Sequence, residues 1–509
     1  MEGEKMATLK QNLIRYIDAR FPIIYLDTYE ELKLDEIIKS ISYGRKIVEW
    51  NGANGFVNFD TKLTALLDSD SLNIVDSLGY TLNFLDKSRD LDNSLFVIKD
   101  AHSLLNDLGI VSKLKSLAIK INAGLIDSTI IIVSSIVNIP KELEKFITVL
   151  EMDYLSKKEI EKVIMSFIKE NEMPAIKDEL LEEMAVKFKG LTKYEIENII
   201  ALAYAENGEL NKTDISLIFE QKRQIIKKSG ILEMIPLKES INDIGGLLKL
   251  KNWLIKKSKV FKNLDKALEF GVDMPKGVLI VGIPGCGKSL NAKAIANLFE
   301  APLLRMDMGR LMGKYVGESE ANMRKAILMA ESISPCVLWV DELEKAFAGV
   351  GSNGGASDIV TRLFGNFLTW MQEKDSPTFV VATANDVTKL PPELLRKGRF
   401  DEVFFVGLPN LDDRKKIFDI HIQKRRPDDK NNINLDLLAS KTDGYTGADI
   451  ENVIIESVEN VFSEGKNRLT TEDITKVINE TSSLSVIMKE SIDSMTEEYK
   501  KRKFKNASM

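Results

Sequence analysis

The 509-residue sequence predicts an α/β protein built twice over, in which a parallel sheet with flanking helices and a helical lid follows a related α/β domain. Three observations predict it. Short apolar runs (IIYL, SLFVI, TIIIV, GVLIV, CVLWV, TFVV) alternate with helix-period segments, the pattern of strands buried on both faces and joined by helices. The stretch GLTKYEIENII at 190–200 nearly recurs as GYTGADIENVI at 444–454, a shift of 254 residues that argues for duplicated domains rather than a short repeat. One second-half run also opens into a glycine-rich turn and then a helix pattern, so that turn lies at the C-terminal edge of a parallel sheet.

Composition sets the bounds. A chain of this length exceeds what one hydrophobic core organises, which makes two to four domains the expectation. With 44% apolar and 29% charged residues it reads as a soluble globular protein. Its 70 basic and 77 acidic side chains leave a net charge of −7, so no global positive field draws it to nucleic acid or anionic lipid. Two cysteines, Cys286 and Cys336, are too few for a disulfide framework and fit a reducing compartment. No signal-peptide pattern or membrane-length apolar run is present, and the expected setting is cytoplasm or an equivalent soluble compartment.

In the first half, RFPIIYLDTYEE reads as a strand and then a helix start, with Thr28-x-x-Glu31 in a capping-box pattern. It offers no glycine loop and no lysine. SLFVIKDA (94–101) parallels CVLWVDE, which puts Asp100 and Ala101 at the places of Asp341 and Glu342. TIIIVSSI (129–136) parallels TFVVATAN, with Ile136 opposite Asn385, and IPKELEKF parallels LPPELLRKGRF without its arginines. Residues 1–225 are therefore expected to keep the fold and lack the chemistry, with a lid-like part at about 151–225. The polar, basic EQKRQIIKKSG suggests a hinge and 226–240 a linker; His102 and His421 are read as structural, and the basic C-terminal tail as solvated.

The second half carries the chemistry. Gly282-Ile-Pro284-Gly285-Cys286-Gly287-Lys288-Ser289, followed by Leu290, fits GxxxxGK[ST] between a strand and a helix. The glycines let backbone N–H groups surround phosphate, Lys288 reaches the β and γ oxygens, and Ser289 can hold Mg²⁺. Some fifty residues on, a buried strand ends in Asp341-Glu342, placed so that the first acid completes the Mg²⁺ shell and the second polarises water. Asn385 ends the next strand, where a side-chain amide could fix that water. Arg396 and Arg399 then follow as arginine fingers for a neighbouring subunit's nucleotide.

Taken together, DIGGLLKLKNWL, the P-loop, KYVGESEANMRKA, VDE, VATAN, LLRKGRFDE and GYTGADIENV resemble the AAA ATPases from 241 to about 480. The wording GCGKSLNAKAIA, PCVLWVDELEKAF and LPPELLRKGRFDE, with RFPIIYLDTYEE, resembles the AAA proteins catalogued as hypothetical chloroplast frame forty-six of plastids, cyanobacteria and other bacteria. The resemblance implies an AAA P-loop NTPase with large subdomain 241–408 and helical lid and tail 409–509, preceded by a degenerate AAA-like domain. It also implies ATP and Mg²⁺ as cofactors and a homo-oligomeric ring, usually of six, in cytoplasm or plastid stroma. Gly245, Gly447 and Ala448 would then border the nucleotide, with no sensor arginine at 448. Tyr315 and Val316 would be a pore loop gripping an unfolded protein client, and the Gly-rich FAGVGSNGGASD a second loop into the same channel. The alternative is a nucleotide-switched scaffold that recruits partners through the first domain. Cys286 stands where such relatives commonly carry Thr. It is read as small-residue packing, against a redox-sensitive thiolate beside the phosphate-binding N–H groups.

Overall fold

The computed structural model describes residues 8–28, 30–63, 77–88, 91–135, 137–228, 230–311, 318–347, 356–396 and 398–508. They form two compact units, Met1–Tyr154 and Leu155–Met509.

The first unit is a six-stranded sheet of β1 (Ile23–Asp27), β2 (Lys46–Asn51), β3 (Gly55–Val57), β4 (Ser94–Lys99), β5 (Ser128–Ser134) and β6 (Ile147–Glu151), in the order β3-β2-β4-β5-β1-β6. Every pairing is parallel except β2 with β3. Strands β4 and β5 are buried at every residue, which is why they read as continuous apolar runs. Helices α1 (Leu9–Asp18) and α2 (Glu31–Ile41) cover one face through Leu13, Leu34 and Ile38, and α3 (Leu78–Ser88) and α4 (Leu108–Asn122) the other through Leu82, Leu114 and Leu117.

The second unit opens with four helices, α5 (Lys157–Glu170), α6 (Asp178–Phe188), α7 (Lys193–Asn207) and α8 (Asp214–Lys228), closed on a core of Ile164, Phe188, Ile196 and Ile200. The α6–α7 turn seats against the end of a later helix. Lys189 Nζ donates to Ser334 O at 3.0 Å, and Gly190 (φ 83°) lies so close that a Cβ would stand 2.5 Å from Ile333 Cγ1. Its repeat partner Gly444 has φ 78° and is equally crowded, by Ser485. Both helices that follow start with capping boxes, Thr192 with Glu195 and Thr446 with Asp449. The repeated sequence is thus a repeated turn-and-cap.

The remainder is β7 (Leu232–Ile235), α9 (Leu248–Lys262), α10 (Leu264–Glu269), β8 (Gly277–Gly282), α11 (Lys288–Phe299), β9 (Leu303–Asp307), α12 (Met308–Leu311), α13 (Glu318–Ile333), β10 (Cys336–Asp341), α14 (Ala356–Glu373), β11 (Thr378–Ala384) and β12 (Glu402–Val406). A lid follows of α15 (Leu411–Arg425), α16 (Leu435–Lys441), α17 (Gly447–Ser463) and α18 (Thr471–Glu480), then α19 (Leu484–Ile487), α20 (Lys489–Arg502) and β13 (Lys505–Asn506). The sheet order is β13-β12-β8-β11-β10-β9-β7. Its parallel middle, β12-β8-β11-β10-β9, repeats β6-β1-β5-β4-β2 of the first unit, and each sheet adds an antiparallel strand beyond its second parallel strand.

The strand bounds correct the residue equivalence. Strands β4 and β10 are both six residues long and end at Lys99 and Asp341, and the next residues, Asp100 and Glu342, share a left-handed backbone (φ 56° and 50°). Lys99 therefore holds the place of Asp341, and Asp100 that of Glu342. Strands β5 and β11, each of seven residues, put Ser135 opposite Asn385; Ile136 lies outside the described residues. A one-residue error survives sequence comparison because both strands are apolar on both faces, so alternation cannot set the register.

Three further expectations change. Thr28 makes no capping box: its Oγ1 accepts from Glu30 N at 2.9 Å, and the helix starts after Glu30, which has no side-chain cap. The supposed hinge and linker carry the last turns of α8 and the edge strand β7. The C-terminal tail is docked rather than solvated, with Tyr499 and Ala507 buried. Among the described residues no helix is long and apolar enough to cross a membrane.

Candidate functional site

At the C-terminal edge of the second sheet lies a cleft of about 600 Å³. It is lined by Pro284, Gly285, Cys286, Gly287, Lys288, Ser289 and Leu290 of the β8–α11 loop, by Asp341, Glu342, Thr383 and Asn385 at strand ends, by Gly245, and by Gly447 and Ala448 of the lid. Gly282 closes β8 at the loop's base. The loop is five residues long, and Gly285 (φ 77°) and Gly287 (φ 82°) hold left-handed turns that a side chain would strain. Gly285 also accepts a hydrogen bond from Ala448 N at 3.0 Å, and a Cβ on it would meet Thr446 Oγ1 at 2.9 Å. Loop and lid meet there backbone to backbone.

Lys288, the first residue of α11, is 7% exposed. Its Nζ donates to Gly282 O (2.9 Å) and Ile283 O (2.8 Å) of its own loop. Burial pulls its pKa down to about 8, with Cys286 and the carboxylates of Glu344, Asp341 and Glu342 acting the other way. A buried ammonium satisfied only by carbonyls is poised for a polyanion, and the glycine loop beside it is the cradle such an anion needs. Ser289 and Asp341 face the same space and are the hard oxygen donors that would hold Mg²⁺. When bound, the ion would neutralise phosphate charge there.

Thr383 organises the acids. Its Oγ1 donates to Asp341 Oδ1 (2.8 Å) and accepts from Glu342 N (3.2 Å). Glu342 Oε2 pairs with exposed Lys345 at 2.5 Å, a surface pair of small worth. Asn385 is clamped: both its backbone N and Nδ2 donate to Glu344 Oε1, at 3.1 and 2.9 Å. Its amide oxygen is left to accept from a water. Glu344 and Thr383 were not picked out from sequence, and His421, read there as structural, also lines the cleft. DELEKAF offered Glu344 two residues past the acids, yet nothing in the order of residues shows that its side chain folds back to Asn385.

Burial pushes the Cys286 thiol up to about 12, against the pull of Lys288, so it is a neutral packing group at pH 7. Arg396 and Arg399 do not line this cleft; Arg396 is exposed and borders a separate one with Lys276, Asp401, Arg502 and Lys505. Tyr315, Val316 and residues 348–355 of the Gly-rich loop lie outside the described residues.

Family comparison agrees with this geometry. A model described as ATPase family associated with various cellular activities (AAA) matches 278–408, and an AAA+ lid domain matches 432–476. SpoVK-like AAA ATPase N-terminal and second domains match 9–152 and 158–229. The AAA domain-containing protein ycf46 of Guillardia theta is 40% identical over 461 residues, covering 90% of this chain and 88% of that protein. The chain belongs to the AAA ATPase family. A ycf46 protein of Pyropia yezoensis is 39% identical over 95% of this chain and 96% of its own. A proteasome-activating nucleotidase of Saccharolobus solfataricus is 32% identical over 302 residues, 55% of this chain and 75% of that one. The second sheet and lid are thus an AAA module, and the first unit is a SpoVK-like domain without a P-loop.

In that first unit the corresponding place is filled from within. The β1–α2 loop is three residues, Thr28 to Glu30, against five in the module. The first residue of α2 is Glu31 where α11 has Lys288, and Lys99 stands for Asp341, so both charges are reversed. Lys99, with its side chain 4% exposed, pairs with Asp35 (2.9 Å), Glu31 (3.2 Å) and Glu49 (3.8 Å), and Lys62 reaches Asp35 (2.8 Å) and Glu49. Burial alone would lower the Lys99 pKa, but these carboxylates hold it above its ordinary value.

Proposed function

We propose that the chain hydrolyses ATP with Mg²⁺ in a homo-oligomeric ring of six subunits and uses the cycle to remodel or unfold a protein client. The observation that carries hydrolysis is the convergence of Lys288, Ser289, Asp341, Glu342 and Asn385 on one cleft. Lys288 binds and orients phosphate, Ser289 and Asp341 would hold the metal, Glu342 takes a proton from water, and Asn385 fixes that water. The ring is supported by Arg396, which borders a different cleft and is available to a neighbour's nucleotide. Similarity to a proteasome-activating nucleotidase supports a protein client, gripped by Tyr315 and Val316.

The test is affinity capture with Glu342→Gln in ATP and Mg²⁺, with Lys288→Ala as control, reading particle mass and co-purifying proteins. A ring retaining a polypeptide that the control lacks is expected. Rings holding only folded partners at fixed stoichiometry would instead favour a nucleotide-switched scaffold. That second reading rests on the first unit, which carries no P-loop and pairs Lys99 internally, so that its role would be to recruit partners rather than to hydrolyse ATP.

A further inference from the structure

Residues 499–508 touch residues that line the cleft or lie next to it in the chain. Strand β13 extends the sheet beside β12, pairing Lys505 with Phe404 and Asn506 with Phe405, and Ala507 N donates to Phe405 O at 2.9 Å. Ala507 O in turn accepts from Lys249 N (3.0 Å) and Leu250 N (3.2 Å) at the start of α9, just after cleft residues Gly245 and Leu247. Ser508 Oγ donates to Asp413 Oδ2 at 2.9 Å, and Asp413 lines the cleft from the lid.

The contact nearest the chemistry is made by Tyr499 of α20. Its ring is buried against Phe405 (centroids 4.2 Å apart) and Phe504, and its hydroxyl donates to Asn385 O at 3.2 Å. The Tyr499 hydroxyl thus holds the carbonyl of Asn385, while Glu344 holds its N–H and side-chain amide from the other side. Take the hydroxyl away and a carbonyl at a strand end loses its donor, leaving that peptide free to tilt. Asn385 would tilt with it, and displacements of about 1 Å in such groups can cost on the order of 100-fold in rate.

We propose that Tyr499 is a positioning residue for ATP hydrolysis: the C-terminal strap sets the orientation of Asn385 through the Tyr499 hydroxyl. This rests on the hydrolytic reading above. It makes the extreme C-terminus, by sequence a basic tail, part of the catalytic apparatus.

The test is Tyr499→Phe in the full chain, which keeps the ring and removes only the hydroxyl. Tyr445→Phe serves as comparator, because it deletes another buried hydroxyl, one bonded to Ile478 O and Thr481 O within the lid. For Tyr499→Phe, kcat should fall about 10-fold or more with KM for ATP within about twofold of the parent, while Tyr445→Phe keeps the parent kcat. In the nucleotide-free chain, amide exchange around Asn385 to Val387 should quicken about 10-fold in Tyr499→Phe alone. Equal kcat in Tyr499→Phe and parent, or equal losses in the two variants, overturns the proposal. Unchanged exchange overturns it whether or not turnover is seen. A parent chain that does not hydrolyse ATP overturns the hydrolytic reading separately.

Discussion

The two α/β regions share a strand order, a left-handed residue after the third parallel strand and a helix starting from the first, yet they solve opposite electrostatic problems. In the AAA module Lys288 and Asp341 face an open cleft, where the proposed phosphate and metal would meet them. In the first unit Glu31 and Lys99 reverse those charges and, with Asp35, Glu49 and Lys62, satisfy one another. The fold survives because the strands' apolar burial specifies it, and a handful of loop and strand-end residues decides the chemistry.

The sharpest way to break this contrast is to remove each central lysine. Lys288→Ala is expected to lower ATP turnover at least about 100-fold with little change in folding, measured as phosphate release beside a thermal melt. Should turnover persist, the cleft is not the hydrolytic site. Lys99→Met leaves ATP binding intact but strands buried carboxylates, and should destabilise the first unit by about 3 kcal/mol, read by regional hydrogen exchange in the full chain. An unchanged exchange pattern would show that the internal network is ornamental.

A smaller effect separates the units by pH. In the second unit Lys222, 4% exposed and bonded to Lys187 O, is pulled down to about 7 by burial. Its pKa is lower folded than unfolded, so the unfolded chain binds more protons and stability rises as pH climbs from about 7 towards 10.5. From pH 7 to 9 the gain is on the order of 2 kcal/mol, and Lys222→Met should flatten it. Lys99 has the opposite sign: its raised pKa contributes stability fully below about 10.5, lost only as pH rises through the folded value, so the first unit should stay level across pH 7–9. Region-resolved exchange at both pH values checks the difference. The smallest expected effect is at Cys286: with its thiol held neutral, mild oxidant should leave turnover within about twofold.

Much of the site was legible because its parts are local. The P-loop needs glycines, Lys288 and Ser289 within one turn, and Asp341-Glu342 and Asn385 announce themselves at the ends of apolar strands. The repeat at 190 and 444 was legible for the same reason, since a left-handed glycine and a Thr cap are local demands. Lys99 was missed because the comparison slipped one residue in a strand with no alternation to correct it. Tyr499 was missed because its partner lies 114 residues away.

By itself, the sequence determined the doubled α/β architecture, the AAA membership and the residues able to meet a nucleotide, all of which rest on periodicity and short-range stereochemistry. Only the tertiary structure decided the strand register that reverses the charges at Glu31 and Lys99, the Glu344 clamp on Asn385 and the docking of the C-terminal strap. Each of those depends on which side chains a packed sheet brings within hydrogen-bond reach, and no local pattern encodes that distance.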